Sequence, residues 1–311
     1  MGLTAIVLGA AAGGGFPQWN CACRNCQALR AGSFQGKSRT QTQVAITDDG
    51  RSWFLLDASP DLHQQIEDTP MLHPRQTGRD SPIAGVLLTS ADLDQITGLL
   101  SLRESQPFRI YCTASIRRIL REHNSVFAML NRVPQQVVWT DITPGESFCL
   151  TTVAGQDSGL HCETFSLQSR YPMYVGRSTL TGLSLREASL GLFVGSASGP
   201  RMAYLPAVPE VDESLLERLE TVDLLLFDGT FWSADELIKV QGSGATAREM
   251  GHIPVSSTEG SLFKLQKLRR PRRIFVHVNN TNPMLDESSP EYREVRAAGW
   301  EVAEDGWHFD L

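Results

Sequence analysis

The sequence lacks the features of several common classes of protein. Lys and Arg together number 28 against 35 Asp and Glu, a net charge of -7. This excess of negative charge argues against binding to nucleic acid or to an acidic membrane surface, because both normally require a basic surface. No apolar run approaches the roughly 18 residues of a membrane span, and no basic segment precedes the first apolar run, so we expect no signal peptide. Fixed-period repeats and low-complexity segments are also missing. What remains is a chain of 311 residues, 41% hydrophobic, that can bury a large core.

Cysteine is scarce and unevenly distributed. Three of the six cysteines, Cys21, Cys23 and Cys26, lie close together, and the others are scattered. This pattern favours a reduced, cytoplasmic protein over a disulfide framework. Three neighbouring thiols can bind one zinc ion with a fourth ligand from elsewhere, and such thiolate-rich sites are usually structural. The alternative is three free, buried thiols. The sequence therefore predicts a zinc knot at residues 20–26.

Apolar segments of strand length alternate with helical segments along the chain. Asp48-Asp49-Gly50 separates two strand-like runs and predicts a hairpin. Apolar residues recur at helical spacing over Ala114–Leu130, which predicts one helix there. The alternation as a whole predicts a single layered α/β domain over residues 1–311. The glycines of residues 9–15 are followed by no Gly-Lys-Ser/Thr, which excludes a Walker loop.

The segment Val86–Arg103 begins as a buried strand and continues as an amphipathic helix. The turn between them carries Ser90, Asp92, Asp94 and Gln95. This spacing can bring several polar side chains around one cation. The alternative is helix capping, because Asp and Ser near a helix start accept hydrogen bonds from its first N–H groups. We therefore expect either a metal site or a capped helix at this turn.

Two further apolar strands end in polar residues. One strand ends at Asp228 and another at His277, each followed by a polar cluster. A carboxylate released at the end of an apolar strand is a recurrent functional arrangement. The alternatives are a loop Asp that accepts backbone hydrogen bonds and a structural His. The loop of residues 168–184 carries Tyr171, which could line a pocket or cover the core.

The turn of residues 89–98 resembles the signature of the metallo-β-lactamase superfamily, Thr-His-x-His-x-Asp-His-x-x-Gly. Thr89, Asp94 and Gly98 match it. Three other residues stand where that superfamily has metal-binding histidines: Ser90, Asp92 and Gln95. The resemblance implies an αββα sandwich of two mixed β-sheets flanked by helices. It also implies that the first metal position is lost, since Ser90, Asp92 and Ser169 replace its histidines.

Longer motifs resemble one family of this superfamily, the pyrroloquinoline quinone (PQQ) biosynthesis protein B family. The matching segments span both ends of the chain: Ala11–Cys26, Arg39–Gln41, Ala58–Asp61, Thr97–Glu104, Asp228–Trp232, Met250–His252 and His277–Glu287. That family is cytoplasmic and acts in making the quinone cofactor from a cross-linked Glu–Tyr unit of a small precursor peptide. The resemblance implies an iron-dependent hydroxylase of the tyrosine ring or, alternatively, a non-catalytic carrier in transport of PQQ or its precursor. Other proteins of the pathway are implied partners, and a homodimer is left open.

The resemblance also assigns roles to residues. Asp94, Asp228 and His277 match the ligands of the second metal position, which implies catalytic residues that bind Fe²⁺ or another divalent metal. Asp92 is a further candidate ligand, and Gln95 stands where the family usually has His. The three cysteines match a structural Zn²⁺ knot of a related phosphodiesterase subfamily. The fourth ligand of that knot is a His, and Asn280 occupies its place here. We expect six residues to contact the substrate: Gly15, Trp19, Ser90, Tyr171, Trp232 and His252.

Overall fold

The computed structural model describes residues 2–196 and 199–311, and within them it has fourteen strands and nine α-helices. The strands are β1 (Thr4–Gly9), β2 (Gln43–Thr47), β3 (Trp53–Leu56), β4 (Ile83–Leu87), β5 (Phe108–Cys112), β6 (Val137–Asp141), β7 (Ser147–Thr151), β8 (Asp157–Ser166), β9 (Leu190–Ser196), β10 (Arg201–Leu205), β11 (Leu224–Asp228), β12 (Arg272–Val276), β13 (Trp300–Val302) and β14 (Trp307–Asp310). The α-helices are α1 (Arg24–Arg30), α2 (Leu62–Glu67), α3 (Leu93–Ile96), α4 (Ala114–Glu122), α5 (Arg177–Leu180), α6 (Glu213–Leu219), α7 (Glu236–Gln241), α8 (Ser261–Lys264) and α9 (Pro290–Ala297). Short 3-10 helices cover Pro70–Leu72, Thr97–Arg103, Ser125–Asn131, Leu185–Glu187, Arg248–Met250 and Pro283–Leu285.

The chain folds into two compact units. Unit 1 comprises Met1–Leu8, Gln43–Arg201 and Gly306–Leu311. Unit 2 comprises Gly9–Thr42 and Met202–Asp305. The grouping of both units into one domain over residues 1–311 stays a prediction.

Unit 1 contains a seven-stranded mixed sheet in the order β14-β1-β2-β3-β4-β5-β6. Strands β3 to β6 pair in parallel, whereas β14–β1 and β2–β3 are antiparallel. The antiparallel β2–β3 pair confirms the hairpin predicted at residues 48–50. Strands β7, β8 and β9 of the same unit pair antiparallel. Leu55, Val86 and Ile110 are fully buried in the apolar core of this unit, so the carboxyl ends of β3 and β4 are firmly held.

The prediction of one long helix over Ala114–Leu130 is wrong. The helix α4 ends at Glu122, and a separate 3-10 helix follows at Ser125–Asn131. Asn124 between them is extended, with φ -142° and ψ 99°. Asn competes for backbone hydrogen bonds through its own side chain and therefore favours such breaks.

Unit 2 contains the parallel strands β10 to β13. The apolar residues of β11 are fully buried, and Phe275 of β12 stacks on Trp300 with ring centroids 4.2 Å apart. Asp228 is paired with Val276, so His277 follows one residue beyond the register of Asp228. Because carboxyl ends of parallel strands meet at one edge of a sheet, the fold brings Asp228 and His277 together.

In the part of the chain that the structure describes, no helix combines the length and the apolar character needed to cross a bilayer.

Candidate metal centres

Asp228 is the centre of a buried polar cluster in unit 2. Its Oδ1 accepts hydrogen bonds from the backbone N–H of Thr230 (3.0 Å) and from Thr230 Oγ1 (2.6 Å). Its Oδ2 accepts from the N–H of Val208 (2.8 Å) and lies 2.8 Å from His252 Nδ1. Asp228 therefore accepts backbone hydrogen bonds, as the structural alternative predicted, and also contacts an imidazole.

Two histidines complete this cluster. His252 and His277 are almost fully buried, and their rings stack with centroids 5.3 Å apart. Each of the three residues offers a ligand atom, and these atoms lie within 4.8 Å of one another. Two imidazoles and one carboxylate form the donor set of mononuclear non-haem iron sites, and they also suit zinc. The residues thus fit a divalent metal, and His252, which we expected to contact substrate, lies among the candidate ligands.

The hydrogen bonds assign the proton of each ring. A carboxylate only accepts, so the contact between Asp228 Oδ2 and His252 Nδ1 requires an N–H on that nitrogen. The Thr230 hydroxyl has one proton, which it donates to Asp228 Oδ1, so at 2.8 Å it accepts from His277 Nδ1. In both rings the nitrogen that faces Asp228 or Thr230 is Nδ1, so a cation shared by the three residues would take the place of these protons.

Backbone conformation places both histidines. His277 has φ of 56°, in the left-handed region that non-glycine residues adopt rarely. Gly251, with φ of 89°, ends the 3-10 helix Arg248–Met250 immediately before His252. The surrounding contacts must hold His277 in this unfavourable conformation, which is common at functional sites.

The three clustered cysteines form a second candidate centre in unit 2. Their sulfur atoms lie within 4.8 Å of one another, and Cys26 is fully buried at α1. The Asn280 side-chain amide lies 3.1 Å from Cys21 Sγ, 3.3 Å from Cys26 Sγ and 3.6 Å from Cys23 Sγ. The thiols fit a zinc ion. The Asn280 atom that faces them is Nδ2, which donates hydrogen bonds, so Asn280 as the fourth ligand stays a prediction.

The thiols of this centre differ in acidity. Burial raises the pKa of Cys23 to about 12. Burial also opposes ionisation of Cys21, but hydrogen bonds from Cys23, Asn280 and Cys26 outweigh it and lower the pKa of Cys21. A metal must displace protons from these sulfurs, so its binding depends on pH.

The polar turn after β4 forms a hydrogen-bonded network within unit 1. The hydroxyl of Thr89 donates to the fully buried carboxylate of Asp57 at 2.9 Å. Ser90 Oγ donates to Asp92 Oδ2 at 2.7 Å and accepts from the N–H of Asp92. Asp92 precedes α3, but its side chain makes no capping hydrogen bond to the helix. The capping alternative is therefore wrong for Asp92, which instead belongs to this network.

The Gln95 side chain joins the two halves of the network. Its amide oxygen lies 2.5 Å from Ser90 Oγ and 3.2 Å from Thr89 Oγ1. The hydroxyls of Thr89 and Ser90 have one proton each. Thr89 donates its proton to Asp57 and Ser90 donates its proton to Asp92, so neither has a second one for Gln95. The proton balance favours the reversed amide, in which Nε2 donates to both hydroxyls. Gln95 as a metal ligand stays a prediction.

The other predicted site residues are dispersed over both units. In unit 1, Asp94 is half-buried in the first turn of α3, whereas Tyr171 packs in the apolar core and donates to the carbonyl of Ser184. The core-covering interpretation of Tyr171 is thus the one that its contacts favour. In unit 2, the side chain of Trp19 is 85% exposed, and Gly15 and Trp232 are half-buried.

Sequence reasoning missed two residues that organise these clusters. Thr230 contacts Asp228 and both histidines, and Asp57 anchors Thr89. Asp57 follows the apolar strand β3 as Asp228 ends β11, so the same strand-end pattern could have identified it. Thr230 carried no such signal, because only the fold brings its hydroxyl to His252 and His277.

Comparisons with known proteins identify the family of this chain. The beta-lactamase superfamily domain matches residues 52–278. Coenzyme PQQ synthesis protein B of Methylobacterium sp. (strain 4-46) is 42% identical over 304 residues, covering 98% of this chain and 98% of that protein. The protein of the same name from Methylorubrum populi is 40% identical over 306 residues, covering 98% and 99%.

The structure of a relative has been solved and is similar over nearly the whole chain. The crystal structure of Zn²⁺-bound PqqB from Methylobacterium extorquens has a TM-score of 0.90 and 39% identity, covering 99% of this chain and 100% of that one. This similarity confirms the predicted fold class, an α/β fold with two mixed sheets flanked by helices. The chain belongs to the coenzyme PQQ synthesis protein B family of the beta-lactamase superfamily.

Proposed function

We propose that this chain acts in the synthesis of PQQ as a mononuclear, metal-dependent hydroxylase of the tyrosine ring in a cross-linked Glu–Tyr precursor. Family membership supports the role in PQQ synthesis. The hydroxylase activity, the precursor as substrate, other pathway proteins as partners and a cytoplasmic location are our proposals. A homodimer stays a prediction.

The observation that supports the hydroxylase is the buried set of Asp228, His252 and His277. Two imidazoles and one carboxylate can hold Fe²⁺ while leaving coordination positions open. Bound iron would supply activation of molecular oxygen, with a two-electron reductant as co-substrate. By resemblance, Asp94 is proposed as a further catalytic ligand, with Asp92 and Gln95 as additional candidate ligands.

The residues of unit 2 orient this donor set. Val208 and Thr230 hold the Asp228 carboxylate in one position through hydrogen bonds of 2.6 to 3.0 Å. Thr230 also contacts Nδ1 of both rings, which orients the two imidazoles beside Asp228. Burial of all three donors excludes water, which strengthens electrostatic interactions with a cation. The other expected substrate contacts remain proposals.

We also propose a structural Zn²⁺ ion at the cysteine cluster. The three sulfurs supply the donors, and the Zn²⁺-bound relative at 39% identity supports the metal. Replacing Cys23 with Ser should remove about one zinc ion per chain and lower stability, because metal binding at such sites is coupled to folding. Unchanged zinc content would contradict this assignment.

A non-catalytic carrier of PQQ or its precursor is the second candidate. The turn of unit 1 favours it, because Ser90 and Gln95 stand where the superfamily has histidines. Hydroxyl and amide groups are weaker metal ligands than imidazole. A protein with too few nitrogen ligands could still bind PQQ or its precursor without catalysing a reaction.

Two measurements separate these functions. Metal analysis of protein purified without oxygen, with and without added Fe(II), should show iron in addition to zinc. Asp228→Ala should lose the iron and keep both the zinc and the fold. A variant that unfolds while its residual folded fraction still binds iron would make Asp228 a structural acceptor.

The second measurement is oxygen uptake with a cross-linked Glu–Tyr substrate. Uptake that requires iron and is abolished in Asp228→Ala supports the hydroxylase. Tight binding of PQQ or precursor without oxygen uptake supports the carrier.

A further inference from the structure

The segment His277–Asn282 belongs to both candidate metal centres of unit 2. His277 contacts Thr230 Oγ1 at 2.8 Å in the Asp–His–His cluster. Three residues later, the Asn280 amide contacts all three thiols of the cysteine cluster. The two centres are therefore joined by one short piece of backbone.

Hydrogen bonds restrain this segment along its whole length. The N–H of Asn279 donates to the Thr230 carbonyl at 3.0 Å. The side-chain amide of Asn282 donates to the carbonyls of Gly229 and Thr230 at 3.0 and 3.3 Å. These hydrogen bonds limit how far the segment can be displaced between the two centres. A shift at one end must reach the other end or break buried hydrogen bonds.

Asn25 connects the segment to the cysteine cluster from outside both ligand sets. Its side-chain amide donates to the carbonyls of Asn280 (3.1 Å) and Asn282 (3.0 Å). Asn25 lies between Cys23 and Cys26 and is 8% exposed. Because its backbone moves with these cysteines, any rearrangement of the thiols reaches the segment directly.

We infer that metal binding at the cysteine cluster positions His277, so that the two centres are thermodynamically coupled, with Asn25 as the positioning residue. Metal binding converts the thiols to thiolates. Thiolates accept stronger, charge-assisted hydrogen bonds from the Asn280 amide, or the amide supplies an oxygen ligand. Either interaction fixes the segment that holds His277 at its unfavourable φ of 56°. Without a metal at the cysteines, the contacts of Asn280 with the sulfurs are weaker and His277 is held less firmly beside Thr230.

This inference rests on the proposed metal binding at both centres. Coupling free energies typically change affinity by 5–150-fold, and they act equally in both directions. We therefore expect loss of zinc from the cysteines to weaken cation binding at the Asp–His–His cluster by about tenfold. Loss of the second cation should weaken zinc retention by the same factor.

The test uses Co(II) as the probe of the Asp–His–His cluster in the full chain. Zinc-loaded wild type and Cys23→Ser are titrated with Co(II), and calorimetry with the visible spectrum reports affinity and coordination. Cobalt bound to thiolate has a charge-transfer band, so binding at the wrong centre is recognised. The matched control is Cys149→Ser, which removes a half-buried thiol of unit 1.

If Cys23→Ser does not fold, Asn25→Ala tests the coupling between the two centres instead. It retains all the thiols, so it should keep zinc and still bind Co(II) about tenfold more weakly than wild type. In the reverse direction, Asp228→Asn with Co(II) present should release zinc to a chelator at lower chelator concentration than wild type.

Each outcome has a defined meaning. Weaker Co(II) binding in both cysteine-side variants, together with easier zinc release in Asp228→Asn, supports the coupling. Equal Co(II) affinity in wild type, Cys23→Ser and Asn25→Ala overturns the coupling and leaves the proposed function intact. Failure of wild type to bind Co(II) outside the cysteines overturns both.

Discussion

Two strand-end regions of this protein are both rich in polar residues and differ in what those residues can bind. In unit 2, Asp228 and Thr230 contact Nδ1 of two imidazoles, and Asp228, His252 and His277 offer ligand atoms within 4.8 Å of one another. In unit 1, the hydroxyls of Thr89 and Ser90 satisfy carboxylates, and the Gln95 amide satisfies the hydroxyls.

We propose from this difference that polar density alone does not make a metal site. The type of donor matters as well, because imidazole and carboxylate groups that lie close together are better ligands for a divalent metal than hydroxyls or amides. A hydroxyl or an amide in a closed network retains at most a weak neutral oxygen. The predictions below test this contrast, beginning with the largest expected effect.

Replacing Asp228 with Asn should weaken Fe(II) or Co(II) binding by roughly 1,000-fold, about 4 kcal/mol. The variant keeps the shape of the side chain and loses the charge that binds the cation. Asp57→Asn is the matched control, because Asp57 is an equally buried carboxylate at the end of β3. It should lose stability and keep metal affinity, as measured by urea unfolding and calorimetric titration. Equal loss of affinity in both variants would contradict the contrast between the regions.

Glu236 is a buried carboxyl group of unit 2 whose pKa is raised. Its carboxylate accepts from the N–H of Trp232 at 2.6 Å and from Thr281 Oγ1, and burial raises its pKa from 4.5 to about 7. The folded state therefore keeps a proton that the unfolded state releases near pH 4.5. The stabilising contribution is complete below pH 4.5 and is lost as the pH rises to 7. The loss is about 3 kcal/mol.

Glu236→Gln should remove this pH dependence. The difference in unfolding free energy between wild type and variant, measured in urea, should shift by about 3 kcal/mol in favour of the variant between pH 4.5 and 7. Glu217→Gln, exposed on α6, serves as the control and should show no such shift. A flat difference for Glu236→Gln would mean that its carboxyl group titrates normally.

Gln95→His should tighten binding of Fe(II) by roughly 1–3 kcal/mol, a 10–100-fold change. The resemblance assigns a ligand position to Gln95, and imidazole is a better ligand for iron than an amide oxygen. Wild type should accordingly favour harder ions such as Mn(II). Calorimetric titration with each ion measures the effect, and oxygen uptake reports any gain in hydroxylation.

Gln64→His, exposed on α2, is the control for adding a histidine. Equal affinities in wild type and Gln95→His would remove Gln95 from the ligand set. A loss of stability without tighter binding would show that the hydrogen-bonded network of Thr89 and Ser90 is its main role.

Thr230→Val should weaken metal binding by about tenfold, the lower end of the range for residues that orient ligands. The variant removes the hydroxyl that contacts Asp228 and both imidazoles. Thr230→Ser restores the hydroxyl and should recover the affinity in a Co(II) titration. Failure of Ser to restore it would assign the effect to packing of the lost methyl group.

Much of the fold and part of the candidate sites follow from the sequence by itself. The apolar runs ending at Asp228 and His277 predicted two strands with polar ends, and their parallel pairing brings both residues to one edge. The spacing of Cys21, Cys23 and Cys26 predicted a cluster, because near neighbours in sequence cannot separate far in space. The motifs distributed over the chain were sufficient for the family. Each of these results depends on local pattern or on many positions at once.

Only the tertiary structure decided which residues act together across long sequence separations. His252 joins Asp228 through a loop whose path no local pattern specifies, and the Thr230 hydroxyl reaches both rings only after β11 and β12 have paired. The break of the predicted helix at Asn124 and the hydrogen bonds of Asn25 to residues about 250 positions away are of the same kind. Sequence patterns determine the hydrophobic face and the strand end, whereas hydrogen-bond partners depend on distances of a few tenths of an ångström that exist only in the packed chain.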